Sequence, residues 1–257
     1  MSVATSVSAP EEVQPASSIS NPPIVAWPDG LHYEDNVLTL SEEQDLLSFL
    51  GDPQQLASPH ASERSWRAAA SPAPYKWDPL SVDAQGKATP NARLVAEFGW
   101  EFLFGANPNA TAPDQIVRPA PPFPAQILRA KIVAEEFVWR TMHRRVNFNQ
   151  TIINRYVRDQ CVRRHKDNHM FGDTIVCITI GSSGDILFDR VGYTDVTMHT
   201  ERCSAYAMAD AARRDWFHAR PPRQANNQSS ACYSVTFRTI KFEQDRTPYA
   251  LDTEDQQ

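Results

Sequence analysis

With 257 residues, of which 41% are apolar and 10% aromatic, the chain has enough hydrophobic material for a buried core, as one large domain or two small ones, and this excludes a disordered or fibrous protein. No apolar run reaches the roughly 18 residues of a membrane span, and the first residues, MSVATSVSAPEEVQPAS, lack the basic and apolar regions of a secretory signal. The expected setting is therefore intracellular, cytoplasmic or nuclear. The net charge of −6 argues on its face against a nucleic-acid partner, but residues 129–241 hold 18 lysines and arginines against 11 acidic residues, so the negative balance lies elsewhere in the chain.

Residues 1–22 are rich in Ser, Ala, Pro and Val, carry no aromatic residue and read as a disordered tail. One domain is expected over 23–245, with a helical and lid-forming part at 23–146 and a β-rich core at 147–241, followed by a polar tail at 246–257. The segment LSEEQDLLSFLGDP predicts a packing helix: Ser41 as cap, Glu42 and Glu43 in the first turn, Leu46, Leu47 and Leu50 on one stripe, and Gly51 with Pro53 past the end. From Ala57 to Pro90 the chain is loop-rich but carries Trp66, Arg67, Tyr75, Lys76 and Trp77. Aromatic residues beside basic ones suit a lid that stacks a base, and they equally suit anchors that pin a long loop to the core. ARLVAEFGWEFLFG predicts two short strands, or a strand and turn, about Gly99, Pro108–Pro124 a connection, and Gln126–Arg144 a helix with Ile127, Lys131, Ala134, Phe137, Val138 and Met142 at helical spacing.

After Asn147 the period changes to two. TIINRYV, DTIVCITI, DILFDRV, DVTMHTE, SAYAMAD and CYSVTFRTIKF are six short β-rich runs, divided by turn residues such as SSGD and ANNQSS. That spacing predicts a sandwich or rolled barrel, mainly β with flanking helices. The four cysteines, Cys161, Cys177, Cys203 and Cys232, have no CxxC spacing and read as reduced thiols.

The chemistry concentrates between Thr151 and Asp189. In HKD, His165 and Asp167 stand two positions apart on an extended segment, so both side chains leave one face. A third ligand has to come from further along, and His218 in DWFHARPP is the candidate. Two imidazoles and a carboxylate on one face of an octahedral ion leave the other face open, as in non-haem iron oxygenases. The triplet alone describes a solvated strand as well. Asn154 and Tyr156 alternate onto one face of TIINRYV, and Cys232, Ser234, Thr236 and Arg238 share a face of the last run. A guanidinium there needs an anion, either a structural carboxylate or a ligand's.

The ordered set NRY, HKD, DWFH and SVTFR resembles the AlkB-like family of Fe(II)- and 2-oxoglutarate-dependent dioxygenases, most closely over residues 147–240 and more loosely upstream. The resemblance implies a double-stranded β-helix, or jelly-roll, with Fe(II) on His165, Asp167 and His218. It also implies 2-oxoglutarate on Asn154, Tyr156, Ser234 and Arg238, and O2 as oxidant. The implied activity is oxidative N-demethylation of a nucleic-acid base, DNA or RNA, with release of formaldehyde, succinate and CO2. Trp66, Tyr75, Trp77, Arg163, Arg164, His169, Arg213 and Arg214 are the implied substrate contacts, and Arg158, Lys166, Arg220 and Arg223 lie beside them as further phosphate partners or as plain strand-edge charges.

The sequence departs from the family pattern at two positions. Cys232 stands where the family's last strand carries its first arginine, and a lost charge-assisted hydrogen bond costs about 1.5–3 kcal/mol. Ser234 with Tyr156 can compensate in part, or another arginine such as Arg223 can fold in. His169 stands where nucleic-acid members often carry an acid. The same chemistry on a protein side chain, or a binding module that keeps the fold without turnover, are the alternatives.

Overall fold

The structure is a computed structural model that describes residues 27–51, 75, 77–79, 93–103, 117–157, 159–222 and 231–241. Both expected tails, Trp66, Arg67, Lys76, Arg158 and Arg223 lie outside the described residues.

Two antiparallel sheets face each other. The larger contains β1 (Leu31–Glu34), β2 (Asp78–Pro79), β3 (Leu94–Phe98), β6 (Gln150–Tyr156), β8 (Ile175–Ile180), β11 (Ala205–Met208) and β13 (Cys232–Arg238), in the order β1-β11-β8-β13-β6-β3-β2. The smaller contains β7 (Val162–His165), β9 (Gly184–Asp189), β10 (Val196–Thr200) and β12 (Phe217–Arg220), in the order β10-β9-β12-β7. A short ribbon pairs β4 (Trp100–Phe102) with β5 (Val117–Pro119). The crossing order is that of the expected jelly-roll. Three strands from before residue 147 extend its larger sheet, so the core draws on both halves of the chain.

Side-chain alternation separates two cores. On β8, Val176, Ile178 and Ile180 face outward, while Ile175 and Cys177 face the smaller sheet. On β13, Tyr233, Val235 and Phe237 face outward, leaving Ser234, Thr236 and Arg238 to line the space between the sheets. Two helices, α1 (Leu40–Leu50) and α2 (Ala125–Met142), cover the outer face. Helix α2 buries Ile127, Ala130, Val133, Ala134, Phe137 and Val138 on one stripe, each large apolar group contributing about 1.5–3 kcal/mol. It ends at His143, which adopts the left-handed conformation.

Helix α1 begins two residues earlier than a Ser41 cap predicts. Thr39 is the cap: its hydroxyl accepts from the Glu42 amide at 3.2 Å, and the Glu42 carboxylate accepts from the Thr39 amide at 2.9 Å. This reciprocal pair prevails because it satisfies two end groups at once. Glu43 is fully buried, accepts from the Gly181 amide at 2.8 Å and pairs with Arg202, tying α1 to the sheet. Gly99 permits the turn between β3 and β4: it sits at φ +76°, and a Cβ there would lie 2.1 Å from the Asn149 carbonyl oxygen.

Candidate metal and co-substrate site

Strand β12, FHAR, was not among the predicted runs, and it completes the site. It pairs with β7 so that His218 stands directly opposite His165. Side chains opposite each other on antiparallel strands lie within contact, and the two imidazole centroids are 4.3 Å apart. Asp167 lies just past the end of β7, and its Oδ2 is 3.5 Å from His218 Nε2. One ligand atom from each of His165, Asp167 and His218 lies within 4.8 Å of the others.

Their protonation suits a cation. The Nδ1 of His165 is 2.8 Å from the Arg163 carbonyl oxygen; a carbonyl only accepts, so the proton sits on Nδ1 and the lone pair on Nε2. Burial drives the His218 pKa down to about 4, leaving a neutral imidazole at neutral pH. Burial pushes the Asp167 carboxyl up, but His218, Arg238, His165 and Arg213 more than offset it, and the net shift is downward. Two imidazoles and one carboxylate make a donor set for a divalent first-row metal such as Fe(II).

The triad opens on a cavity of about 310 Å³ between the sheets. Its wall from the larger sheet carries Asn154, Tyr156 and Ser234, which bond to one another: Asn154 Nδ2 donates to Ser234 Oγ at 3.2 Å, and the Tyr156 hydroxyl is 3.3 Å from the same oxygen. Arg238 is buried, 3.9 Å from Asp167 Oδ1, stacked on Phe171 and donating from Nε to Gln150 Oε1 at 2.7 Å. Its Nη2 has no hydrogen-bond partner among the described residues. All four residues expected from the sequence to face the co-substrate therefore line one cavity with the triad.

Two arginines of this cavity were not singled out for it. Arg93 donates to Asn154 Oδ1 at 2.8 Å, and Arg220, expected among the rim charges, is instead buried inside with its Nη2 2.8 Å from Cys232 Sγ. No periodic signal in the sequence separates either residue from the surface arginines.

Several expected substrate contacts are placed otherwise. Tyr75 and Trp77 are anchors in the outer core: the Tyr75 hydroxyl donates to the Leu50 carbonyl at 2.7 Å and Trp77 Nε1 to the same oxygen at 3.2 Å. Four unsatisfied carbonyls end every helix, and these two side chains serve the end of α1. Arg213, on α3 (Asp210–Arg214), is buried and donates to the carbonyls of Asp167, Asn168 and Phe171 at 3.1, 2.7 and 3.3 Å. It fixes the ligand loop and does not line the cavity. Arg214 pairs with Asp173, and Arg164 with Asp189 while stacking over Phe217 at 3.5 Å. Arg163 and His169 are exposed.

Residues 53–241 match the 2OG-Fe(II) oxygenase superfamily. The chain belongs to that superfamily, whose members use Fe(II), 2-oxoglutarate and O2. Among solved structures, OsALKBH1 aligns with a TM-score of 0.51 at 14% identity, over 85% of this chain and all of that one, so the two share the fold. An oxidoreductase of the 2OG-Fe(II) oxygenase family from Burkholderia pseudomallei aligns with a TM-score of 0.49 at 11% identity, over 82% of this chain and 85% of that one. A prolyl-4-hydroxylase from Pseudomonas putida gives 0.46 at 9%, over 82% and 92%. No curated protein sequence matches the chain. No helix among the described residues is long and apolar enough to cross a membrane.

Proposed function

We propose that the protein is an Fe(II)- and 2-oxoglutarate-dependent dioxygenase that removes N-methyl groups from nucleic-acid bases. The observation that carries this reading is the convergence of His165, Asp167 and His218 in the lining of a cavity that also holds a buried guanidinium at Arg238. In the proposed assignment the triad holds the metal, and Asn154, Tyr156, Ser234 and Arg238 receive the co-substrate. With 2-oxoglutarate and O2, the bound iron supplies the oxidation that turns an N-methyl into an N-hydroxymethyl group while 2-oxoglutarate becomes succinate and CO2; the hydroxymethyl nitrogen then releases formaldehyde.

The chain's own groups supply the arrangement. The Arg163 carbonyl holds the His165 tautomer, Arg213 holds the loop that aims Asp167, and Gln150 aims Arg238. Phe102, Phe171, Ile186 and Met208 give the cavity apolar walls, which limits water beside the reacting carbon. Exposed Arg163, Arg164 and Lys166 stand beside the ligand strand, where phosphates flanking an extruded base are met.

A second reading, the same chemistry on a protein side chain, draws on the pairing of Arg164 with Asp189 and Arg214 with Asp173, which lowers the rim's charge available to phosphates. One assay separates them. Protein loaded anaerobically with Fe(II) and 2-oxoglutarate is exposed to air over N-methylated oligonucleotides, single- and double-stranded, and over methyl-lysine peptides, with succinate and formaldehyde measured. Formaldehyde from an oligonucleotide is the expected result; formaldehyde only from peptides selects the second reading. His165→Ala and Asp167→Ala should each abolish metal binding and turnover with the fold intact by circular dichroism, and full activity in either would defeat the site assignment.

A further inference from the structure

We infer that Arg220 binds the far carboxylate of the dicarboxylate co-substrate, from the smaller sheet; this rests on the dioxygenase reading above. Arg220 is only 3% exposed, yet the groups acting on its charge among the described residues are the thiols and phenols of Cys232, Tyr156, Cys177 and Tyr206, with no carboxylate among them. Its Nη1 has no hydrogen-bond partner among the described residues, and Nη2 meets only the Cys232 sulfur, a weak acceptor. A buried guanidinium with five donors and no carboxylate is costly unless an anion arrives to fill the site.

The surroundings are built for that anion. Arg220 lies over the Tyr156 ring at 4.8 Å, and the Tyr156 hydroxyl and Ser234 Oγ, 3.3 Å apart, line the same cavity. Gly184 on β9 makes the room: a Cβ there would lie 2.3 Å from Arg220 Nη2. His218 and Arg220 are two residues apart on β12 and both line the cavity. Two residues of strand advance about 6.6 Å, the length scale of a five-carbon diacid whose 2-oxo acid end sits at the metal. Arg238, 3.9 Å from Asp167, is then left to the metal end. The guanidinium that Cys232 lacks on β13 is in this way supplied across the cavity, by a side chain touching Cys232 itself.

The test is calorimetric titration of the full chain loaded with Mn(II), without oxygen, with 2-oxoglutarate and with 2-oxobutyrate, which keeps the chelating end and lacks the far carboxylate. The unaltered protein should prefer 2-oxoglutarate by about 10- to 100-fold, the worth of a charge-assisted hydrogen bond. Arg220→Met should erase that preference while leaving 2-oxobutyrate affinity unchanged. Gly184→Ala, whose methyl displaces the guanidinium, should weaken 2-oxoglutarate selectively, and Arg220→Ser with Cys232→Arg should restore the preference from the opposite strand. A retained preference in Arg220→Met overturns the assignment while leaving the dioxygenase reading in place. Should that variant not fold, an undiminished preference in Gly184→Ala overturns it instead. If the unaltered Mn(II) protein binds neither acid, the parent reading falls and this one with it.

Discussion

Burial holds the Glu97 carboxyl up at about 7, although the Phe102 amide, Arg238 and Gln150 all pull it down. The side chain stands at the head of a relay: Glu97 Oε1 accepts from Gln150 Nε2 at 3.0 Å, and Gln150 Oε1 accepts from Arg238 Nε at 2.7 Å. Because the folded-state pKa lies above the ordinary carboxylate value of 4.5, the protonated form favours folding. Its contribution is complete below pH 4.5 and is lost as pH rises through about 7. Glu97→Gln keeps an acceptor for both donors and cannot ionise. The variant should therefore lose less melting temperature between pH 5 and pH 8 than the unaltered protein, as thermal denaturation followed by circular dichroism will show; parallel losses would mean that Glu97 does not ionise in that window.

At the scale of elements, the site depends on a short helix placed against a loop. Helix α3 sends Arg213 under the segment that follows β7, and three of its carbonyls are held there. Arg213→Met keeps the bulk, removes those bonds and touches no ligand atom. Groups that orient metal ligands typically govern affinity 10- to 100-fold, so Mn(II) affinity by calorimetry should fall in about that range with the fold retained. An unchanged affinity would show that the loop holds Asp167 unaided. Arg213 also shows what the sequence disclosed and what it did not. The six period-two runs became β6, β8, β9, β10, β11 and β13, because a two-sided sheet imposes alternation that residue order records directly. The triad was legible differently, through the order of its chemical types along the chain and the family pattern that order resembles. Strand β12 was not: its four residues are too few for a period and lead into Pro221 and Pro222, which read as loop. With that strand unseen, Arg220 looked like one more rim charge beside Arg213, Arg214 and Arg223. Tyr75 and Trp77 were equally open, since an aromatic residue in a loop has one pattern whether it caps a helix or stacks a ligand, and only contact with the Leu50 carbonyl decides.

For the whole molecule, the proposed nucleic-acid substrate has to be reconciled with a net charge of −6. The positive excess is confined to residues 129–241, which include the triad and the smaller sheet, and Arg163, Arg164 and Lys166 are exposed on the ligand strand or just past it. If the substrate is a nucleic acid, a positive excess arranged this way would steer its phosphate backbone toward that part of the chain. Each phosphate neutralised releases condensed counterions, so log affinity falls with log salt by roughly 0.9 per contact for duplex DNA and roughly 0.7 for a single strand. Binding of a fluorescent oligonucleotide should therefore weaken steeply as salt is raised, and Arg163→Ala should flatten that slope by about one contact while weakening all base sequences alike. Arg164 is committed to Asp189 and to the ring of Phe217, so Arg164→Ala should change the slope less than Arg163→Ala does. If the slope is near zero, or if Arg163→Ala leaves it unchanged while methylated peptides are turned over, the basic surface does not serve phosphates and the substrate is a protein side chain.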